Sequence, residues 1–142
     1  MIYTDTKKQI NTDKKRIRTG LLYSDLTYKV RGAIFAVYNE LGFGHKENIY
    51  QKALIKEFEG LKVSYKEELG LDVKYKGDFV GKYRPDFVIE DKIIVEIKSV
   101  EFMPKSFEDQ LVRYLKTTGY SLGLLVNFGS SRLYIKRLIW TG

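Results

Sequence analysis

The chain has 142 residues, which suits one domain and is too short for two domains with separate cores. Hydrophobic residues make up 44% of it and charged residues 30%, enough apolar mass to exclude a wholly disordered chain. No apolar run has the length of a membrane span, and the N-terminal segment lacks the apolar stretch of a signal peptide. We therefore expect a soluble, cytoplasmic protein.

The residue types restrict the chemistry. The sequence contains no cysteine and one histidine. These counts exclude a disulfide framework, a thiolate zinc site, an iron–sulfur cluster, a cysteine nucleophile and a histidine-rich metal site. Any catalysis must use carboxylates, lysine, hydroxyl groups or a hard metal ion.

The net charge of +7 is concentrated at the N-terminus, where residues 1–20 hold six basic and two acidic residues. The few apolar residues there follow no sustained period. We therefore predict a flexible basic arm over residues 1–21 and a single domain over residues 22–142. Such an arm suits a polyanionic partner, and a solubilising tail without a partner is an equal alternative.

Two amphipathic helices are predicted to begin the domain. Apolar residues between Ser24 and Leu41 form one helical stripe, and Gly42 follows as a stop signal. After a short loop, a second helix is expected over residues 47–59, and Gly60 ends it.

The rest of the sequence is predicted to form strands and a third helix. Strands are predicted over residues 62–67, 71–76, 79–89, 93–100, 121–127 and 133–140, the last as an edge strand, with a helix over residues 105–118. Tight turns are expected at residues 76–78 and 90–92. This order predicts an α/β domain with a central mixed β-sheet flanked by α-helices and a right-handed crossover through the third helix.

Acidic and basic side chains converge on one predicted hairpin. Glu96 and Lys98 project from the same strand face, and the turn at residues 90–92 brings Asp86 level with Glu96. Facing carboxylates repel, and Mg²⁺ would relieve this repulsion by binding Asp86, Glu96 and the backbone carbonyl of Ile97. Lys98 would then orient an attacking water or balance charge on a phosphate. The alternative is that Lys98 simply pairs with one of the two acids on a solvated face.

Four sequence motifs together resemble a known family. They are Gly44-His45-Lys46-Glu47-Asn48-Ile49-Tyr50, Arg84-Pro85-Asp86, Glu96-Ile97-Lys98, and Gln110-Leu111-Val112-Arg113-Tyr114 with the strand that follows. Over residues 22–140 the chain resembles the GxxExxY proteins, a branch of the PD-(D/E)xK nuclease-like superfamily. The resemblance implies a restriction-endonuclease-like core.

The resemblance also implies roles for individual residues. Asp86 and Glu96 would be metal ligands, Lys98 the catalytic lysine, and Glu47 an additional acid that reaches the metal directly or through water. Gln110 and Tyr114 would support the site or contact the nucleic-acid backbone.

The sequence leaves two alternative roles open for several residues. Tyr50 and Tyr114 are either part of the site or core aromatics with satisfied hydroxyl groups. Arg84 either holds a phosphate or pairs with a neighbouring acid. We expect His45 to be an ordinary loop histidine.

The functional expectation is a Mg²⁺-dependent nuclease, with Mn²⁺ as a substitute, that hydrolyses phosphodiester bonds through a metal-activated water. The expected partner is nucleic acid, DNA ahead of RNA. A second hypothesis is a catalytically silent module of the same fold that binds nucleic acid or a protein. A third is a partner-binding domain whose exposed tyrosines form an interface, the chain having 11 tyrosines in all.

Overall fold

The structure, a computed structural model, describes residues 2–4 and 22–142. Its elements, in chain order, are β1 (Ile2–Thr4), α1 (Ser24–Leu41), α2 (Glu47–Gly60), β2 (Tyr65–Glu67), β3 (Leu71–Tyr75), β4 (Asp78–Tyr83), β5 (Phe87–Ile89), β6 (Ile93–Lys98), α3 (Lys105–Thr118), β7 (Leu122–Asn127) and β8 (Tyr134–Trp140). None of the helices in this part of the chain is both long and apolar enough to cross a membrane.

The central sheet is six-stranded, in the order β1-β8-β7-β6-β5-β2. Strands β6 and β7 are parallel neighbours joined through α3, and the other neighbouring pairs are antiparallel. Parallel neighbours require a crossover connection, and α3 supplies it. The predicted mixed α/β architecture is therefore confirmed.

Alternate residues of β6 face two different cores. Ile93, Val95 and Ile97 pack with α1 and α2 on one side of the sheet. Ile94 faces the other side, where it joins a cluster that includes Leu111 of α3. Both faces are covered by apolar side chains, which explains the nearly continuous apolar pattern of the central strands. Glu96 and Lys98 lie on the α3 side, because they share the alternation of Ile94.

The prediction of one strand over residues 79–89 is wrong. The chain breaks at Arg84-Pro85-Asp86, so β4 and β5 are separate strands. Proline has no N–H group to donate to a sheet ladder, and Pro85 therefore interrupts the pairing. Strand β4 instead pairs with β3 in a second, two-stranded sheet.

The N-terminus contributes a strand that the sequence pattern did not predict. Residues 2–4 form β1 and pair antiparallel with β8, so β8 has a strand on each side. The prediction of β8 as an edge strand is therefore wrong. The rest of the predicted basic arm, residue 1 and residues 5–21, lies outside the described residues.

Candidate active site

Asp86 and Glu96 face each other where β5 and β6 diverge. The last paired residues are Phe87 and Val95, so Asp86 lies opposite Glu96 one step further. The Asp86 N–H donates to Glu96 Oε1 at 3.1 Å, and the Ile97 N–H donates to Asp86 Oδ2 at 2.6 Å. Each carboxylate thus accepts a hydrogen bond from the other strand's backbone, which fixes both in place.

The Ile97 carbonyl faces the same side as these acids. In a β-strand, the N–H and C=O of one residue point to the same edge, and the Ile97 N–H points to Asp86. The next carbonyl, that of Lys98, points the other way and accepts from the Phe128 N–H at 2.9 Å. Two carboxylates and one carbonyl therefore converge at this edge.

Both acids have raised pKa values. Burial raises the pKa of Glu96 to about 7, and the negative charge of Asp86 adds to the effect. Burial likewise raises the pKa of Asp86, although its hydrogen bond from the Ile97 N–H opposes this, and the charge of Glu47 raises it further. The Lys98 charge lowers both pKa values without overcoming burial. Two half-buried carboxylates that repel each other are suited to a cation.

Lys98 forms no ion pair with an acid of residues 22–142. Its Nζ lies 4.5 Å from the centroid of the Phe107 ring. Within the described residues, its Nζ is not within 4.0 Å of a carboxylate oxygen. The expected structural alternative, a surface ion pair with Asp86 or Glu96, is therefore not what the geometry shows.

Glu47 lies near the acidic pair without joining it. It is the first residue of α2, and its Oε2 accepts a hydrogen bond from the Ser99 N–H at 3.3 Å. Its charge reaches Asp86, whose pKa it raises. However, no group of three acidic or histidine side chains in residues 22–142 is arranged to hold a metal ion. Any contact between Glu47 and a metal would therefore need a bridging water or a side-chain movement.

Tyr50 organises the loop before α2. It is fully buried, its hydroxyl donates to the Gly42 carbonyl at 2.7 Å, and it accepts from the His45 N–H at 3.1 Å. Its ring stacks on Phe128 with centroids 4.1 Å apart. These contacts make Tyr50 a core aromatic with a satisfied hydroxyl, with no surface for nucleic acid.

His45 has the contacts of a loop residue. Its Nε2 is 3.0 Å from the Leu41 carbonyl, and its own carbonyl accepts a hydrogen bond from the Ser99 hydroxyl. Gly44 has a φ of +92° and donates its N–H to the Phe128 carbonyl at 3.0 Å. The loop therefore connects Glu47 to the strand ends that carry the acidic pair.

Helix α3 presents Gln110 and Tyr114 differently. Gln110 is exposed and forms no hydrogen bond with the acidic pair. Tyr114 is half-buried, and its ring stacks on Tyr83 at 3.6 Å between centroids. Arg84, which follows Tyr83 in the chain, is exposed and makes no ion pair with any acid of residues 22–142. Of the two alternatives for Arg84, pairing with a neighbouring acid is not seen among these residues.

Tyr83 is a site residue that the sequence analysis missed. It is 6% exposed, and its hydroxyl has no hydrogen-bond partner of ordinary geometry in the described part of the chain. Burial and the nearby Glu96 carboxylate both raise the pKa of the Tyr83 hydroxyl. Only its position immediately before Arg84-Pro85-Asp86 hinted at a role.

Asn127 is a second missed residue. Its side-chain amide donates to the Val100 carbonyl at 2.9 Å, and its Oδ1 accepts from the Val100 N–H at 3.0 Å. A Cβ atom on Gly129 would collide with the backbone of Val100, so only glycine fits there. Together these two residues hold the loop that follows Lys98 against the end of β7.

The donor set suits a hard divalent cation. Carboxylate and carbonyl oxygens are the ligands that Mg²⁺ prefers, and Mg²⁺ usually retains several waters of its own. Burial raises the pKa of both Asp86 and Glu96, and the charge of Asp86 adds to the effect on Glu96, so a cation between them would offset the cost of two buried charges. Asp86, Glu96 and the Ile97 carbonyl are the groups that would hold it.

Comparisons with known proteins agree with this geometry. The family sequence model of the PD-(D/E)XK nuclease superfamily matches residues 24–138 of the chain. The crystal structure of SSO0001 is similar to the chain, with a TM-score of 0.51 and 20% sequence identity, over 84% of this chain and 60% of that one. At that identity the likeness concerns the fold alone, and the chain spans less than two thirds of SSO0001. No protein of curated function matches the sequence. Because the family model covers most of the chain, including both strands of the acidic pair, the chain belongs to the PD-(D/E)XK nuclease superfamily.

Proposed function

We propose that this protein is a divalent-metal-dependent nuclease that hydrolyses phosphodiester bonds in nucleic acid. The observation that carries the proposal is the pairing of Asp86 with Glu96 across diverging strands, each fixed by the other strand's N–H group. A purely structural pair would gain nothing from two facing, half-buried carboxylates. The acidic pair lies at the carboxyl end of the parallel strand β6, a place that is typical of ligand sites in α/β sheets.

We assign Asp86, Glu96 and the Ile97 carbonyl to the binding of Mg²⁺, with Mn²⁺ as a substitute. The bound ion supplies a Lewis acid and an activated water at neutral pH. Glu47 holds further negative charge beside Asp86, at the start of α2. We also propose that the protein is a member of the GxxExxY branch, because Gly44, Glu47 and Tyr50 match the naming motif of that branch.

Lys98 supplies positive charge where the reaction develops negative charge. It projects from the same strand face as Glu96, and Phe107 covers one side of its ammonium group. Without a carboxylate partner in the described chain, that charge is free to act on a scissile phosphate. Arg84, exposed and unpaired in the same region, supplies a second phosphate contact.

The second candidate is a silent module of the same fold that binds nucleic acid. The absence of a third acidic ligand in residues 22–142 favours it, because two carboxylates hold a cation less tightly than three. The tyrosine-interface hypothesis has less support, since Tyr50 and Tyr83 are buried and the strongly exposed Tyr28 and Tyr75 lie on separate elements, α1 and β3.

Cleavage of labelled oligonucleotides distinguishes the two candidates. Single-stranded and duplex DNA and RNA are incubated with Mg²⁺, with Mn²⁺ or with chelator, and the products are separated by size. We expect cleavage of DNA with metal, none in chelator, and none by Asp86→Asn.

Asp91→Asn is the matched control, because Asp91 is an exposed residue that pairs with Lys66 at the other end of β6. Cleavage in chelator, or equal cleavage by Asp86→Asn, contradicts the metal-dependent mechanism. Metal-dependent binding without cleavage supports the silent module.

A further inference from the structure

The β3–β4 hairpin leaves two aromatic side chains in solvent. Phe79 is 58% exposed and Tyr75 is 63% exposed, whereas Leu71 and Val73 pack against the cluster beneath α3. The hairpin therefore has an inner face that is part of the core and an outer face that carries Phe79. An exposed aromatic ring offers a nucleic-acid base a face on which to stack.

A β-bulge turns Phe79 outward. Phe79 and Lys82 are three residues apart, and regular alternation would place them on opposite faces of β4. The register shifts, however: Val73 pairs with Gly81 and Lys74 with Phe79, so Val80 has no partner on β3. Phe79 consequently shares the outer face with Lys82, whose Nζ lies 5.6 Å from the centroid of its ring.

Lysine side chains lie near both exposed aromatic rings of the hairpin. Lys74 is directly opposite Phe79, and Lys76 Nζ lies 5.4 Å from the Tyr75 ring centroid. Lys82 is compensated by Asp72 at 2.9 Å, but neither Lys74 nor Lys76 has an ion pair with an acid among the described residues. Even with Asp78 opposite Tyr75, the hairpin combines an exposed aromatic ring with a net positive charge.

The hairpin also leads to the acidic pair. Strand β4 runs from Phe79 to Tyr83, and the next residues are Arg84, Pro85 and Asp86. Arg84 is exposed and has no ion pair in that part of the chain. A polyanion that lies along β4 would therefore pass Arg84 on its way to Asp86.

We propose that the outer face of the β3–β4 hairpin binds single-stranded nucleic acid, with one base stacked on Phe79 and adjacent phosphates near Lys74 and Lys76. A base must expose its π face to stack on a phenyl ring, and duplex DNA covers those faces by base stacking. Phenylalanine offers no hydrogen-bonding group, so this contact is independent of sequence. That the ligand is nucleic acid rests on the proposed function; the choice of a single strand rests on the hairpin.

Fluorescence anisotropy in chelator tests this inference without any cleavage. The probes are a labelled single-stranded DNA of about 12 nucleotides, within the usual site size of such surfaces, and the duplex of the same sequence. We expect Phe79→Ala to weaken single-strand binding at least about fivefold, as the loss of one stacked base does, and to leave duplex binding nearly unchanged. We expect Lys74→Gln to lower the salt dependence of single-strand binding by about one phosphate contact.

Three further variants separate stacking from bulk. Phe79→Tyr keeps a π face and should bind as the wild type does, whereas Phe79→Leu keeps apolar volume and should bind as weakly as the alanine variant. Tyr28→Ala is the matched control, because Tyr28 is 79% exposed but lies on α1, on the opposite face of the sheet. Equal single-strand affinity of Phe79→Ala and Tyr28→Ala would overturn the proposal.

Self-association through the same patch is the competing outcome. A dimer in sedimentation that Phe79→Ala dissociates, with unchanged binding of the oligonucleotide, would also overturn the proposal. The nuclease proposal and the hairpin proposal can fail independently, because binding to the hairpin is measured without metal. Loss of single-strand binding in Phe79→Ala supports the hairpin even if no cleavage is found, and cleavage that Asp86→Asn abolishes supports the nuclease even if the hairpin variants bind normally.

Discussion

Tyr83 and Tyr114 stack with their ring centroids 3.6 Å apart and their planes within 6°, and this pair connects α3 to the acidic site. Tyr83 ends β4, lies beside Glu96 and precedes Arg84-Pro85-Asp86, whereas Tyr114 lies on α3. The stack thereby fixes the place where the chain leaves the second sheet and enters the central one. Tyr114 thus acts on the site through Tyr83, by packing.

Replacement of Tyr114 should therefore affect stability through its ring and not its hydroxyl. We expect Tyr114→Ala to lower the free energy of unfolding by about 2 kcal/mol, because a half-buried ring and its stacking are lost. Tyr114→Phe keeps the ring and should stay within about 0.5 kcal/mol of the wild type. Urea unfolding followed by circular dichroism measures both. Equal losses in the two variants would show that the hydroxyl, rather than the stack, matters.

Lys98→Ala should abolish cleavage while leaving metal affinity unchanged or slightly higher. The lysine charge lowers the pKa values of Asp86 and Glu96, so its removal takes away a cation that competes with the metal. Cleavage assays and calorimetric titration with Mn²⁺ measure the two effects. Lys92→Ala, at the other end of the same hairpin, is the control. An unchanged cleavage rate in Lys98→Ala would exclude a catalytic role for Lys98.

The sequence predicted local features better than distant contacts. The helices follow from apolar periodicity. The register of Asp86 and Glu96 follows from the three-residue turn, because residues equally distant from the turn face each other across the two strands. The break at Pro85 was missed, because apolar and aromatic residues continue on both sides of it. The pairing of β1 with β8 and the stack of Tyr83 on Tyr114 join segments far apart in sequence, and no local pattern encodes them. The roles of the site residues stay predictions.

The basic N-terminal segment should contribute binding energy that depends on salt. Residues 5–20 contain Lys7, Lys8, Lys14, Lys15, Arg16 and Arg18. We expect glutamine at these positions to weaken DNA binding equally for all sequences and to flatten the plot of log affinity against log salt, because fewer counterions are released. Substitution is preferable to deletion, since β1 then keeps its pairing with β8. Identical slopes for the two proteins would identify a solubilising tail.

Asp86→Asn should stabilise the metal-free protein. Asparagine keeps an oxygen to accept the Ile97 N–H but removes a charge that repels Glu96 and Glu47, so we expect a gain of about 1 kcal/mol in chelator. Millimolar Mg²⁺ should reverse the order, because the wild type binds the ion better and is stabilised by it. Thermal melts of both proteins under both conditions provide the measurement. A less stable variant in chelator, with no response of either protein to Mg²⁺, would indicate a structural role for Asp86.

The metal-free protein should become less stable as the pH rises from about 4.5 to about 7. Burial and the charge of Asp86 raise the pKa of Glu96 to about 7, so the folded state binds a proton across this range that the unfolded chain has already released. Stability therefore falls with increasing pH until Glu96 is ionised in both states, a loss of up to about 3 kcal/mol. Glutamine at position 96 does not titrate, so the Glu96→Gln variant should lack the part of the pH dependence of stability that Glu96 causes. The measurement is the difference between the urea unfolding free energies of wild type and Glu96→Gln at several pH values in chelator. A constant difference would show that the pKa of Glu96 is not raised in the folded protein.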